Sequence, residues 1–185
     1  MIMKTKIFFL FSFLTFSSIG YSQIYTGKST VISFFSHGPI EDIAATSKSA
    51  QVILNAAKNE IAIKVTVKGF DFDKELMQEH FNEKYMESDK YPYATFTGKI
   101  MDTLNYKKDG VHKVSVVGKL TMHGVEKERT IQGTITIKGG EVMLDSKFTV
   151  ALKDHKIEIP TLVAQNIAET VEVTVKVTLS EFKQK

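Results

Sequence analysis

With no cysteine in the chain, its five histidines, His37, His80, His112, His123 and His155, are the natural places to look for chemistry. They are scattered, and none falls in an H-E-x-x-H pattern or another metal spacing. One grouping has ligand spacing: Glu79, His80 and Glu83 sit one turn apart on a helix and could converge on a cation. The same spacing describes a solvated helix face with ordinary charge pairs, which is the commoner outcome, so no metal and no cofactor are assigned. No serine lies in a G-x-S-x-G elbow, no Gly-rich phosphate loop follows a strand, and a thiol nucleophile is excluded. No catalytic residue is assigned, and the chain reads as a non-enzyme. A lipid-modifying or metal-assisted enzyme using His80 or His123 remains the alternative.

Two cations stand out by position rather than by motif. Lys127 and Arg129 lie in the stretch Val111–Ile137, where two runs rich in β-branched residues flank His123-Gly124. That pair signals a hairpin, since glycine supplies the positive φ a two-residue turn needs. The turn pairs Met122 with Val125, Leu120 with Lys127, Gly118 with Arg129, Val116 with Ile131 and Val114 with Gly133. By parity Val114, Val116, Leu120, Met122, Val125, Ile131, Ile135 and Ile137 share one face, and Lys113, Ser115, Lys119, Thr130, Thr134 and Thr136 the other. Lys127 and Arg129 therefore fall on the apolar face beside the turn. They either snorkel, stems down and charges in water, or meet an anionic head group, for which the arginine fork is suited. Gly118 and Gly133, inside strands, mark a bulge, a close approach by ligand or helix, or a sharp coil of the wall.

The elements that must carry these residues are mostly strands. Strand patterns run over Ser29–Ser36, Ala50–Ala56, Glu60–Lys68, Tyr93–Ile100, Glu141–Lys153 and Ala168–Phe182, in addition to the hairpin. The last is the cleanest, with Val171, Val173, Val175, Val177 and Leu179 alternating with polar residues. Pro39–Ala45 reads as a helical turn opened by proline. One helix is expected after Asp73 as N-cap, with Met77, Phe81 and Tyr85 facing inward and Phe72 and Met77 as a hydrophobic staple, ending before Pro92. Seven or eight antiparallel strands with one short helix give an all-β barrel or sandwich, and a barrel removes the exposed edges.

The first 22 residues read as an address. Lys4 and Lys6 precede a Phe-rich apolar run from Ile7 to Ile19, and Gly20-Tyr21-Ser22 places small residues for cleavage after Ser22. The run is short for a membrane span, and no stop-transfer charges follow it. The expectation is a signal peptide over 1–22, one domain over 23–185, and a periplasmic or secreted protein. Of the formal net charge of +3, the two leader lysines account for two units, leaving +1. Lysine and glutamate are interspersed without a basic block, so no nucleic-acid partner is expected.

The stretch Val117-Gly118-Lys119-Leu120-Thr121-Met122-His123-Gly124-Val125-Glu126-Lys127 resembles the G-x-L-T-(apolar)-x-G-V hairpin of the YceI-like family. Phe81–Ile100, with Tyr91-Pro92 and Ala94-Thr95-Phe96, resembles a second family segment. The pattern departs at Glu126, where threonine is usual, at Arg129, where an apolar residue is usual, and over Phe35–Ala50. The resemblance implies a lipocalin-like, eight-stranded antiparallel barrel with a helix over one side. It also implies an amphiphilic lipid ligand, such as a polyisoprenoid, quinone-like or fatty-acid-like molecule, for storage, transport or stress protection. The apolar faces would then line a lumen built from Phe34, Ile63, Val65, Phe96, Val116, Ile131, Ile135, Phe148, Val173 and Val175, with Lys127 and Arg129 at its mouth. Without the resemblance, the same residue types could simply fill the barrel and make it an interaction module. Transient membrane contact and oligomerisation are left open.

Overall fold

The computed structural model describes residues 23–38, 41–159 and 168–183; the expected signal peptide and the Pro160 loop lie outside them. The described residues form ten strands, β1 (Ile24–Ser36), β2 (Ile43–Ser47), β3 (Gln51–Asn55), β4 (Glu60–Thr66), β5 (Asp71–Phe72), β6 (Tyr93–Ile100), β7 (Gly110–Met122), β8 (Val125–Lys138), β9 (Glu141–Ala151) and β10 (Thr170–Glu181), and one short α-helix, α1 (Glu75–His80). The strands make eight staves of a closed antiparallel barrel. β1 pairs with β3 at one end and with β2 at the other, so β2 and β3 are one broken stave. β3 pairs with β4 and β2 with β5, so β4 and β5 are a second. β10 closes the ring on β1 from Tyr25–Glu181 to Phe35–Glu172, with a bulge at Gly27–Ser29.

The β7–β8 hairpin has the register the sequence dictates, from Met122–Val125 to Gly110–Ile137. His123 (φ 51°) and Gly124 (φ 72°) are both left-handed, as a type I′ turn requires. A side chain on Gly124 would run into the Tyr91 ring, 2.5 Å from its Cβ position. Val114, Val116, Leu120, Ile131, Ile135 and Ile137 are buried, as their parity demands. The barrel is packed solid at one end, where Leu54, Ile100, Ile135, Ile137, Val142 and Leu179 are almost wholly buried. Alternating apolar side chains from neighbouring staves meet there, joined by the buried rings of Tyr25 and Tyr106, whose centroids are 6.0 Å apart.

Two local expectations are corrected. The Pro39–Ala45 turn is not helical where it is described: β2 begins at Ile43, and its ladders to β1 and β5 override the local signal. The helix starts one residue later than expected, with Lys74 in the N-cap position and no side-chain cap. The β5 ladder holds Asp71 and Phe72 extended, a bend over Asp73 and Lys74 follows before the helix, and the Lys74 ammonium pairs with Glu41. After α1 the chain widens into a π turn over Phe81–Tyr85, with Met86 N–H donating to the Phe81 carbonyl. This turn shifts the inward stripe, so Met86 is buried alongside inward-facing Met77, Phe81 and Tyr85.

Candidate functional site

Above the packed end the barrel holds a cavity of about 410 Å³, within the usual range for a small-molecule site. Its wall is apolar and comes from every stave. Nine of the ten expected lumen residues border it: Phe34, Ile63, Val65, Phe96, Val116, Ile131, Phe148, Val173 and Val175. Ile135 does not; it is fully buried in the floor, two residues below Gly133, which does border the space. Inward parity selects the face but not the depth, so Ile135 and the lining residues look alike in the sequence.

Small residues make the room. Gly98 pairs with Gly118 across β6 and β7, and the Phe96 ring lies against both, its atoms 2.8–2.9 Å from where their Cβ atoms would be. The ring thus lies along the wall instead of across the lumen. Gly133, which borders the cavity, pairs with Ser146 on the β8–β9 seam, where a Cβ would lie 2.9 Å from the Asp145 carbonyl oxygen. Neither glycine interrupts the β7–β8 register, so neither is a bulge.

A cap covers the upper end. Phe34, Phe70, Phe72 and Phe81 form an aromatic cluster, with Phe34 at 5.4 Å from both Phe70 and Phe81. Met77, His80, Phe81, Tyr85 and Met86 face the cavity from the helical segment. Burial raises the Tyr85 phenol above its ordinary value. The exposed Glu41 also borders the cavity, so the space reaches the surface beside it. The hairpin turn holds the cap: His123 lies 2.8 Å from the Glu87 carboxylate through Nε2 and 3.1 Å from the His155 carbonyl through Nδ1. Both partners are acceptors, so whichever ring nitrogen carries the proton, the imidazole has a group to donate to on the cap or on the Leu152–Ile157 turn. The contact surface that sequence reasoning missed is Phe70, Ser36 and the turn Leu152–Ile157; the aromatic run Phe70-x-Phe72 was the available signal for the first.

Lys127 and Arg129 are not on the cavity wall. Lys127 is exposed. Arg129 turns sideways, and its Nη2 donates to the Thr149 carbonyl while Nη1 lies 3.7 Å from Asp154. The departure at Glu126 has a local account, an exposed ion pair with Lys119 at 2.7 Å. Glu79, His80 and Glu83 do not form a metal-holding group; no cluster of three His, Asp or Glu side chains occurs among the described residues.

The capped, apolar, surface-connected lumen of this closed eight-stranded barrel has the lining and room to hold an apolar or amphiphilic molecule. The chain belongs to the YceI-like family, whose domain model matches residues 15–179. Solved structures agree on the fold. A polyisoprenoid-binding domain from Saccharophagus degradans superposes with a TM-score of 0.74 at 15% identity, over 85% of this chain and 98% of that one. BcnA of Burkholderia cenocepacia gives 0.68 at 20% identity, over 80% and 95%. The YCEI protein of Campylobacter jejuni gives 0.55 at 18% identity, over 74% and 81%. No curated protein sequence matches the chain.

Proposed function

We propose that this protein is a non-enzymatic carrier that holds the tail of a long amphiphilic lipid, such as a polyisoprenoid, in its barrel lumen. It acts in the periplasm or outside the cell, in storage, transport or protection against stress. The observation that carries this reading is the 410 Å³ apolar cavity lined by Phe34, Ile63, Val65, Phe96, Val116, Ile131, Phe148, Val173 and Val175. Such a wall suits a chain lipid, because burial is non-directional and contributes about 0.8 kcal/mol per CH₂. The polyisoprenoid-binding Saccharophagus domain, alike in fold, supports the ligand class. The residues expected for export are the leader Met1–Ser22 and a mature start at Gln23.

Native mass spectrometry of the purified mature protein tests the reading. A co-purifying lipid, or uptake of an added polyprenol in one-to-one ratio, is expected. Protein that emerges free of lipid and takes up none would sink it. N-terminal sequencing of the exported protein should begin at Gln23.

A further inference from the structure

The lumen is closed at its lower end by side chains of the barrel itself. Leu144 is the lowest inward residue of β9 that borders the space. Its cross-strand partners, Ile135 on β8 and Val177 on β10, no longer border it and are buried, as is Val142, the next inward residue down β9. Leu54 and Ile100 pack in the same core beneath. Tyr106, from the loop between β6 and β7, then lies against Tyr25 and donates its hydroxyl to Asn59 Oδ1 at 3.2 Å. A tail that enters from the cap therefore meets a floor.

The height above that floor follows from the strands that run along it. Leu144, Ser146, Phe148 and Val150, the successive inward residues of β9, all border the lumen. At about 3.3 Å per residue this stretch is about 20 Å long, and a strand tilt of about 40° leaves about 15 Å along the barrel axis. The stave of β4 repeats the span, with Ile61, Ile63, Val65 and Val67 bordering the space. An extended carbon chain advances about 1.25 Å per bond at ordinary C–C lengths and angles, so an isoprene repeat takes about 5 Å and about three repeats match the height.

We infer that the lumen is a blind-ended gauge of tail length, which seats a straight tail of about three isoprene repeats, or an alkyl chain of that length, with Leu144 as the stop at its foot. A longer polyisoprenoid seats only its terminal repeats. Each repeat that fits gains apolar burial, and each further repeat is left at the mouth and gains little. Val175 stands one inward position above the stop, because it pairs with Ser146 whereas Val177 pairs with Leu144. A larger side chain at Val175 would raise the floor, and a smaller one at Leu144 would lower it. This inference rests on the lumen-binding reading above and names the tail length for that site.

The test is competition among geraniol, farnesol, geranylgeraniol and solanesol, supplied together in one detergent to delipidated mature protein and read by native mass spectrometry. These alcohols share a head and differ only in the number of repeats. Wild-type loading should peak at farnesol and fall at solanesol, whose surplus repeats leave the detergent without entering the lumen. Val175→Phe should lower the farnesol-to-geraniol ratio by about threefold or more, and Leu144→Ala should raise the geranylgeraniol-to-farnesol ratio by a similar factor. Intrinsic partitioning cancels between variants, because the probes are the same. Leu144→Ala is read with a native circular dichroism spectrum; Val175→Phe, which adds a ring to open volume, tests the gauge independently in the other direction. Solanesol loaded by the wild type as well as farnesol, or an unchanged ratio in Val175→Phe, would overturn the gauge while leaving the lumen reading intact. An unchanged ratio in folded Leu144→Ala would overturn the role of Leu144 as the stop. Failure of every alcohol to load would remove the lumen reading and this inference with it.

Discussion

Arg129 donates to the main-chain carbonyl of Thr149 across a seam where β8 and β9 no longer pair. Their ladder runs from Lys138–Glu141 to Gly133–Ser146 and stops. Beyond it side chains take over: Ser146 Oγ bonds the Gln132 carbonyl, Arg129 bonds Thr149, and His155 Nδ1 donates to the Val125 carbonyl at 3.0 Å. Backbone acceptors that lose their ladder need other partners, and these three residues supply them where a strand would otherwise do so.

Removing that tie should loosen the seam. Arg129→Ala is expected to cost about 1–2 kcal/mol, the lower part of the range for a charge-assisted hydrogen bond because the side chain is partly exposed. Asp154→Ala should cost about 0.5 kcal/mol or less, since that pair is 3.7 Å apart and the carboxylate is well exposed. Urea titrations would give both values, and hydrogen exchange should quicken over Lys147–Ala151 in the arginine variant alone. Equal effects from the two substitutions would mean that the ion pair, rather than the carbonyl bond, closes the seam.

His155 links this seam to pH. Burial holds its imidazole below the ordinary histidine value of 6.5, outweighing the opposing hydrogen bond to Val125; Arg129 lowers it further and Asp154 raises it. The folded pKa is depressed, so below about pH 6.5 the unfolded chain binds the proton more readily than the folded one. Stability contributed by the neutral ring is therefore present above pH 6.5 and is lost as pH falls through and below that value. The urea midpoint should fall between pH 7 and pH 5, and His155→Gln should flatten that slope whatever it does to stability at pH 7. Parallel slopes for the two proteins would show that other groups set the acid sensitivity.

The staves and their inward faces were legible because β-branched residues alternate with polar ones over long runs. The all-β class and the β7–β8 register follow from that alternation and from His123-Gly124, whereas the choice of a closed barrel over a sandwich came from the resemblance to the YceI-like family. Depth along a stave was not legible: Ile131 lines the cavity and Ile135 lies in the floor, yet both are inward isoleucines on β8. Nor was the direction of a long side chain. Arg129 has inward parity, but its reach lets it bond sideways to Thr149, which only the early end of the β8–β9 ladder makes possible. The π turn after His80 also left no periodic signature, because the inward residues still look like an α-helical stripe when Met77, Phe81 and Tyr85 are read alone.

Two glycines separate space from strain. At Gly118 a Cβ would lie 2.4 Å from the Thr97 carbonyl oxygen and 2.6 Å from Gly98 Cα. Both are backbone atoms that cannot swing aside, so Gly118→Ala should cost about 3 kcal/mol, the upper part of the overpacking range. Gly139 (φ 58°) has open space around its Cβ position. Gly139→Ala should cost about 1 kcal/mol, for the left-handed backbone alone. Thermal or urea unfolding would rank them, and a Gly139 variant as damaged as the Gly118 variant would contradict the crowding at the Gly98–Gly118 pair.

Val173 and Ile135 test whether the lumen is a cavity or a core. Val173 borders the space, whereas Ile135 is fully buried beneath it. Adding bulk to a packed interior typically costs about 1–3 kcal/mol, so Ile135→Phe should destabilise by that amount. Val173→Phe should cost less than about 1 kcal/mol, because the ring enters empty volume and buries its own apolar surface there. The same variant should take up less polyprenol than the wild type, since the ring occupies room needed by the chain, while Ile135→Phe that remains folded should load normally. Comparable destabilisation at both positions, with unchanged lipid loading in Val173→Phe, would mean that the upper barrel is packed like its floor and that the ligand, if any, binds elsewhere.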